Sequence, residues 1–310
     1  MMLQSVAESL LPVLLMIVLG ACLRQCRFLP EVCFQGLNKL AFWVGLPCML
    51  FLEISGARVE GGAALRIAAT LLLVSLAAGV LGWGVALALK LPTPSLRVFV
   101  QGAFRGNLAY VGIPVVYYAL SASPDARAVA VLALAPTIPV FNVACVLLLL
   151  QPGQGSRLRR AARALAEIAR NPLILACVLG MLALWQGWML PPPLRRTVEG
   201  VGRLGLPAAL LALGASLSLR HVQGKKLPVF FSALIKVAVA PVIGYTIGRA
   251  LGLTGVNLLI TMLYAATPTA VASYVMADQM GADRELAAAI IVVSTLLAFP
   301  ALALVLLLTH

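Results

Sequence analysis

Residues 101–118 read Gln-Gly-Ala-Phe-Arg-Gly-Asn-Leu-Ala-Tyr-Val-Gly-Ile-Pro-Val-Val-Tyr-Tyr. The stretch lies inside an apolar run long enough to cross a membrane. Yet it holds a guanidinium (Arg105), an amide (Asn107), two glycines (Gly106 and Gly112) and a proline (Pro114). Hydrocarbon offers backbone N–H and C=O groups no partners, so a broken helix at membrane depth survives only buried in protein or lining a cavity. A hydrophobic segment interrupted by Gly and Pro marks a transporter's binding site, above all when the other half of the chain has a matching one.

The 310 residues are 62% hydrophobic and only 11% charged, with a mean hydropathy of +1.03. A soluble domain could not cover that much apolar surface, so the fold class is an all-α, multi-pass membrane protein. The net charge of +13 does not indicate nucleic acid, because the basic residues are scattered through short loops without a basic domain or an aromatic-interleaved patch. The six cysteines (22, 26, 33, 48, 145 and 177) lack paired zinc-ligand spacing and read as packing residues. The N-terminus has neither a basic n-region nor a small-residue cleavage site, so its first segment is expected to be retained.

Ten apolar segments of spanning length are expected at about 7–24, 37–56, 63–89, 95–120, 128–150, 172–190, 198–219, 227–251, 255–277 and 286–308. The longest loop, 151–171, reads as a short amphipathic helix at the interface. With the N-terminus outside, inner loops hold fourteen Lys and Arg residues and outer loops seven. That bias places both termini outside and the central loop in the cytoplasm.

The chain then repeats itself. Pro12-x5-Val18-Leu19-Gly20 recurs as Pro172-x5-Val178-Leu179-Gly180, and Gly45-Leu46-Pro47 as Gly205-Leu206-Pro207, both at an offset of 160. Tyr110 and Pro114 face Tyr264 and Pro268 at an offset of 154. Five segments per half is odd, so 1–150 and 172–310 are expected as two inverted five-helix repeats joined by the linker 151–171. Pro47 and Pro207 read as kinks. Pro114 and Pro268, with polar neighbours, read as true breaks in segments 4 and 9, each opening a second half-helix near its first turn.

Two such breaks put free N–H groups and free carbonyls near the midplane, which suits a small anion, a cation or both. Asn107 can donate and accept at once, and Thr261 is its expected counterpart in segment 9. Thr267 and Thr269 flank Pro268 and can meet substrate, an ion or only the local backbone. Arg105 and Lys236 lie mid-segment, where ionisable groups are expensive and are functional candidates by default. The carboxylates Glu8, Glu53, Glu199 and Asp278 sit near segment ends, so a midplane with two cations suits an anionic substrate. His221 and His310 read as interfacial, and no catalytic constellation, metal cluster or cofactor motif is present.

The motif Asn107-Leu-Ala-Tyr-Val-Gly112-Ile113-Pro114 resembles segment 4 of the auxin efflux carrier family of membrane transporters. Ala266-Thr267-Pro268-Thr-Ala-Val-Ala-Ser-Tyr274-Val275-Met-Ala277 is similar to the family's segment 9 with its crossover proline. Leu46-Pro47 and Leu213-Gly214-Ala215-Ser216-Leu217 also resemble family positions, so the likeness runs the length of the chain. The short central loop resembles the bacterial members, which implies a bacterial inner membrane.

The resemblance implies a scaffold of segments 1, 2, 6 and 7, often a homodimer, and a mobile transport domain of segments 3–5 and 8–10. It implies elevator-type transport of an auxin-like carboxylate or a dicarboxylate such as malate or malonate, without a cofactor. The expected substrate-binding residues are Asn107, Arg105, Tyr110, Gly112, Ile113, Pro114, Thr267, Pro268, Thr269 and Lys236, and the expected partners are the anion, membrane lipid and a second copy of the chain. The alternatives are a sodium-coupled symporter of the bile acid type and a membrane sensor without transport. Crossovers poor in Glu, Gln and Asn speak against the first, and the lack of a signalling domain against the second.

Overall fold

The computed structural model describes residues 2–56, 61–149, 170–217 and 226–309. Among them every regular element is a helix, and the one strand-like feature is an isolated bridge between Gly106 and Thr269. In chain order the helices are α1 Met2–Gln25, α2 Glu31–Ser55, α3 Gly61–Ala88, α4 Thr93–Phe104, α5 Leu108–Ala119 and α6 Pro124–Leu149. The second half holds α7 Pro172–Gln186, α8 Pro192–Ser216, α9 Lys226–Ala250, α10 Gly255–Ala265, α11 Ala272–Gln279 and α12 Arg284–Thr309. Seven of these (α1, α2, α3, α6, α8, α9 and α12) are long and apolar enough to cross a membrane, and α5, α7 and α10 are shorter apolar helices. The chain is a multi-pass membrane protein. The interfacial helix expected at 151–171 and the histidines at 221 and 310 fall outside the described residues, apart from Arg170 and Asn171.

Three of the prolines inside these helices share a device. Proline lacks an N–H and collides with the carbonyl four residues back. Ahead of Pro47, Pro114 and Pro241 the helix widens into a π-turn, at Ala41–Gly45, Leu108–Gly112 and Ile235–Val239. The residue before each proline donates to the carbonyl five back: Leu46 to Ala41, Ile113 to Leu108 and Ala240 to Ile235. The wider turn clears the clash without ending the helix. Pro207 follows a shorter irregularity, a turn at Arg203 and Leu204 between two stretches of α8.

That device moves the breaks from their expected places. Pro114 does not open a half-helix; it lies within α5, and the break is at 105–107. Pro268 lies mid-break, with α11 starting only at Ala272. Asn107 starts α5 rather than ending α4, and Thr261 sits inside α10, bonded back to the carbonyl of Asn257 at 2.9 Å, so it is not the counterpart of Asn107. The first half-helices end at Phe104 and Ala265, which are 161 apart. Tyr110 and Pro114 thus lie beyond their break within α5, whereas Tyr264 lies before its break in α10 and Pro268 inside it, so the Tyr–Pro match at 154 pairs residues at different places relative to the breaks.

The match at 160 has a physical counterpart. α1 packs on the 205–216 part of α8, and α7 on the 46–55 part of α2. A Cβ on Gly20 would strike the backbone of Leu211, and one on Gly180 would come within 3.2 Å of the Phe51 carbonyl. Both residues of each pair differ by 160 from those of the other. Between the two packings, a Cβ on Gly45 would lie 2.6 Å from the Cα of Gly205, and one on Gly205 2.7 Å from the Gly45 carbonyl carbon. Lipid tails are as apolar as leucine, so close backbone approach through small residues is what holds helices together here. Gly45→Val or Gly205→Val should cost about 1–3 kcal/mol through overpacking, seen as a lower melting temperature in detergent; Gly62→Val, with nothing within 4 Å of its Cβ, should melt as the parent does.

Candidate functional site

The two breaks cross. The N–H of Asn107 donates to the carbonyl of Pro268 at 2.7 Å, and that of Ala270 to the carbonyl of Arg105 at 3.0 Å. Each unwound strand thus satisfies the backbone groups that the other's loss of helix would orphan. Hydroxyls complete the knot. Thr269 Oγ1 donates to Gly102 O at 2.8 Å, Thr267 Oγ1 to Tyr264 O at 2.7 Å, and Ser294 Oγ accepts the N–H of Thr269 at 3.0 Å. The crossing passes so close that a Cβ on Gly106 would sit 2.6 Å from Thr267 Oγ1.

A cavity of about 150 Å³ opens on one face of the crossing. Arg105, Asn107, Tyr110, Asn142 and Asn171 line it, together with residues 108–109 and 270–272 and the apolar Phe42, Ile138, Phe141 and Leu173. Residues 108–109 and 270–272 belong to the first turns of α5 and α11 or lead into them. A helix N-terminus carries partial positive charge, although several N–H groups of these first turns are already bonded, that of Tyr110 to Asn107 Oδ1 and those of Ser273 and Tyr274 to the carbonyls of Ala270 and Val271. Arg105 is 6% exposed. Its Nη2 donates to Asn142 Oδ1 at 2.7 Å and its Nη1 lies against the sulfur of Met276. Among the described residues it meets no carboxylate. Asn107 spends its Oδ1 on the N–H of Tyr110 at 3.3 Å, while its buried Nδ2 finds no acceptor among the described residues. A buried guanidinium without a carboxylate partner, an unspent amide donor and two helix N-termini are together able to hold a small anion.

Of the ten residues expected at the site, Arg105, Asn107 and Tyr110 line this cavity. Thr267, Pro268 and Thr269 hold the crossing instead. Gly112, Ile113 and Pro114 pack behind it; a Cβ on Gly112 would meet the Tyr264 ring at 2.9 Å. Lys236 does not line this cavity; it borders a separate small void and donates to the carbonyl of Ala265 at 2.5 Å. The sequence reading missed Asn142 and Asn171. Asn142 follows Pro136 and Pro139 in an apolar run, a signal of the same kind as that at Asn107. Asn171 was assigned to the linker, but its Oδ1 caps α7 through the N–H of Leu173 at 3.0 Å.

A groove of about 370 Å³, lined by Glu31 and Lys39 among others, shares Phe42, Tyr110, Val271 and Ala272 with the cavity. Towards the other end a pocket of about 480 Å³ shares no residue with it. There Arg127 pairs with Glu53 at 3.2 Å and sits 4.6 Å over the Tyr117 ring, tying α6 to α2.

Membrane-crossing helices arranged around a polar, broken pair define a membrane transport protein rather than an enzyme. The comparisons agree: the family described as "Membrane transport protein" matches residues 5–306, and the chain belongs to this family, that of the auxin efflux carriers. A Methanothermobacter thermautotrophicus protein named "Uncharacterized transporter" is 23% identical over 299 residues, covering 96% of each chain. A Rhizobium meliloti protein named "Putative malonate transporter" is 27% identical over 295 residues, covering 93% of this chain and 90% of its own.

Gly106→Ala should force Thr267 off its bond to Tyr264 O, lowering stability by about 1–3 kcal/mol and cutting transport. Adding Thr267→Ala removes the obstructing hydroxyl and should recover part of the loss. A double-mutant cycle in melting temperature measures that coupling, and strict additivity would mean that the two groups do not meet.

Proposed function

We propose that this protein is a secondary transporter of a small organic anion, a dicarboxylate such as malonate or malate or an auxin-like carboxylate, bound at the crossing. One observation carries the reading: Arg105 is buried without a carboxylate partner beside the unspent Nδ2 of Asn107. An ionisable group in that setting is costly unless a ligand compensates it. Asn142 holds the guanidinium in place, the N-termini of α5 and α11 add partial positive charge, and Tyr110 closes the side facing the groove. A volume of about 150 Å³, below the ~300 Å³ at which drug-sized pockets begin, favours the smaller acids. The relative named for malonate points the same way.

In the finer architecture α4 with α5, and α10 with α11, are each one broken crossing, giving ten in all. The halves 1–150 and 172–310 are then inverted repeats, supported by the pairs Gly20–Leu211 and Gly180–Phe51. α1, α2, α7 and α8 form a scaffold that also makes a homodimer; the remaining helices form the mobile unit, which moves by an elevator mechanism. The loop charges place both termini outside, in a bacterial inner membrane, with lipid around the helices and no nucleic acid partner. In that orientation the groove at Lys39 faces the cytoplasm, and the Glu53–Arg127 pair closes the outer side.

The test is uptake of labelled malonate, malate and indole acetate into proteoliposomes. Malonate or malate should enter saturably and better than indole acetate. Arg105→Gln and Asn107→Ala should each lower uptake efficiency about ten-fold or more, the scale of a charge-assisted hydrogen bond of about 1.5–3 kcal/mol. Full activity in both variants would remove the site from the crossing.

A further inference from the structure

The two first half-helices end their carbonyls at the crossing, and the two ends are finished differently. At the end of α4, the hydroxyl of Thr269 reaches Gly102 O at 2.8 Å. At the end of α10, the Lys236 ammonium reaches Ala265 O at 2.5 Å. Lys236 is 2% exposed and forms no ion pair among the described residues. It also stands against the knot itself, since a Cβ on Gly106 would lie 3.2 Å from Lys236 Cε and 2.6 Å from Thr267 Oγ1. A void of about 10 Å³, room for about one water, adjoins it and is lined by Ser75 and Tyr264. The Tyr264 hydroxyl has no partner among the described residues.

Half-helix C-termini and unwound carbonyls are where transporters of this build coordinate a coupling cation. The C-terminal end of α10 carries partial negative charge, and Ala265 O and Thr267 Oγ1 put oxygens at that end. Here the positive charge is supplied covalently. We propose that the Lys236 ammonium is a tethered cation occupying the place of a bound monovalent cation, so that the carrier holds its crossing together and works without sodium. This deepens the transport reading and rests on it, but it assigns Lys236 to the cation side of the crossing rather than to the anion cavity. Two fixed cations then flank the crossing: Arg105 faces the substrate and Lys236 faces the carbonyls.

The experiment compares wild type, Lys236→Ala and Lys236→Gln in sodium chloride, choline chloride and methylammonium chloride at equal ionic strength. Melting temperature is read first, because it needs no substrate. Wild type should melt alike in all three salts. Lys236→Ala should melt lower in choline and recover part of the loss in sodium or methylammonium, which can enter the space left by the side chain. Uptake of malonate by wild type should be the same in sodium and choline. Lys236→Gln, which keeps the length without the charge, should lose at least ten-fold. A wild type stabilised or driven by sodium, or a Lys236→Gln variant transporting normally in choline, would overturn the proposal. Should wild type carry none of the tested anions, the transport reading fails, while the melting comparison still decides whether Lys236 stands in for a cation.

Discussion

The exchange of backbone hydrogen bonds between Arg105–Asn107 and Pro268–Ala270 is the constraint on which the rest of this protein depends. In water either strand could stay unwound at little cost. In a membrane each orphaned group costs several kcal/mol, so neither break is tolerable without the other. Much follows from keeping the two in register. Glycine is needed at position 106, threonines are needed to cap carbonyls the breaks release, and Ser294 of α12 is needed to take a further N–H. The crossing is a structural necessity first. The cavity arises beside it, where the first residues of α5 and the residues leading into α11 come together.

Charge completes the division of labour. Arg105 and Lys236 border two different voids at the same knot, and among the described residues neither has a carboxylate partner. Carboxylates elsewhere are occupied near helix ends: Glu53 by Arg127, Glu199 by Arg203 and Asp278 by Arg284. A positive interior with acids held outside it disfavours a cation as cargo and favours an anion. The guanidinium is held by neutral groups, Asn142 and the Met276 sulfur, which position it without cancelling its charge.

Much of this was legible in the chain. Composition gave the membrane, and the polar residues Arg105 and Asn107 in an apolar run gave the place of the break. The offset of 160 found the helix pairs that touch through Gly20, Gly45, Gly180 and Gly205. What misled was proline. A proline reads as a break, but a π-turn lets Pro114 stand inside a helix, so the break fell seven residues upstream of it, at Asn107, and further back to Arg105. The tyrosine and proline shared at 154 followed the same wrong landmark. Asn142 and Asn171 were overlooked because a single amide in an apolar segment, or one next to a loop, has no local pattern. Only the packing of α6 and α7 against the crossing gives them a role. Lys236 was read as lying mid-segment and is buried, but sequence position alone could not say that it reaches the carbonyl of Ala265.

The π-turns have a consequence beyond making room for proline. A turn of this kind holds about one residue more than the 3.6 of an α-turn, so the helix beyond it is rotated by about a quarter of a revolution relative to an uninterrupted one. In α2 the part before the turn packs on the 205–216 stretch of α8, while the part after it packs on α7 and on the 192–202 stretch of α8 and buries Leu46, Met49, Leu50 and Ile54. One continuous rod therefore presents two differently aimed faces, and Phe42, which borders the cavity, sits on the swivel between them. The inserted residue works as a gear offset: it lets a rigid element that anchors one neighbour also aim an aromatic ring at the site.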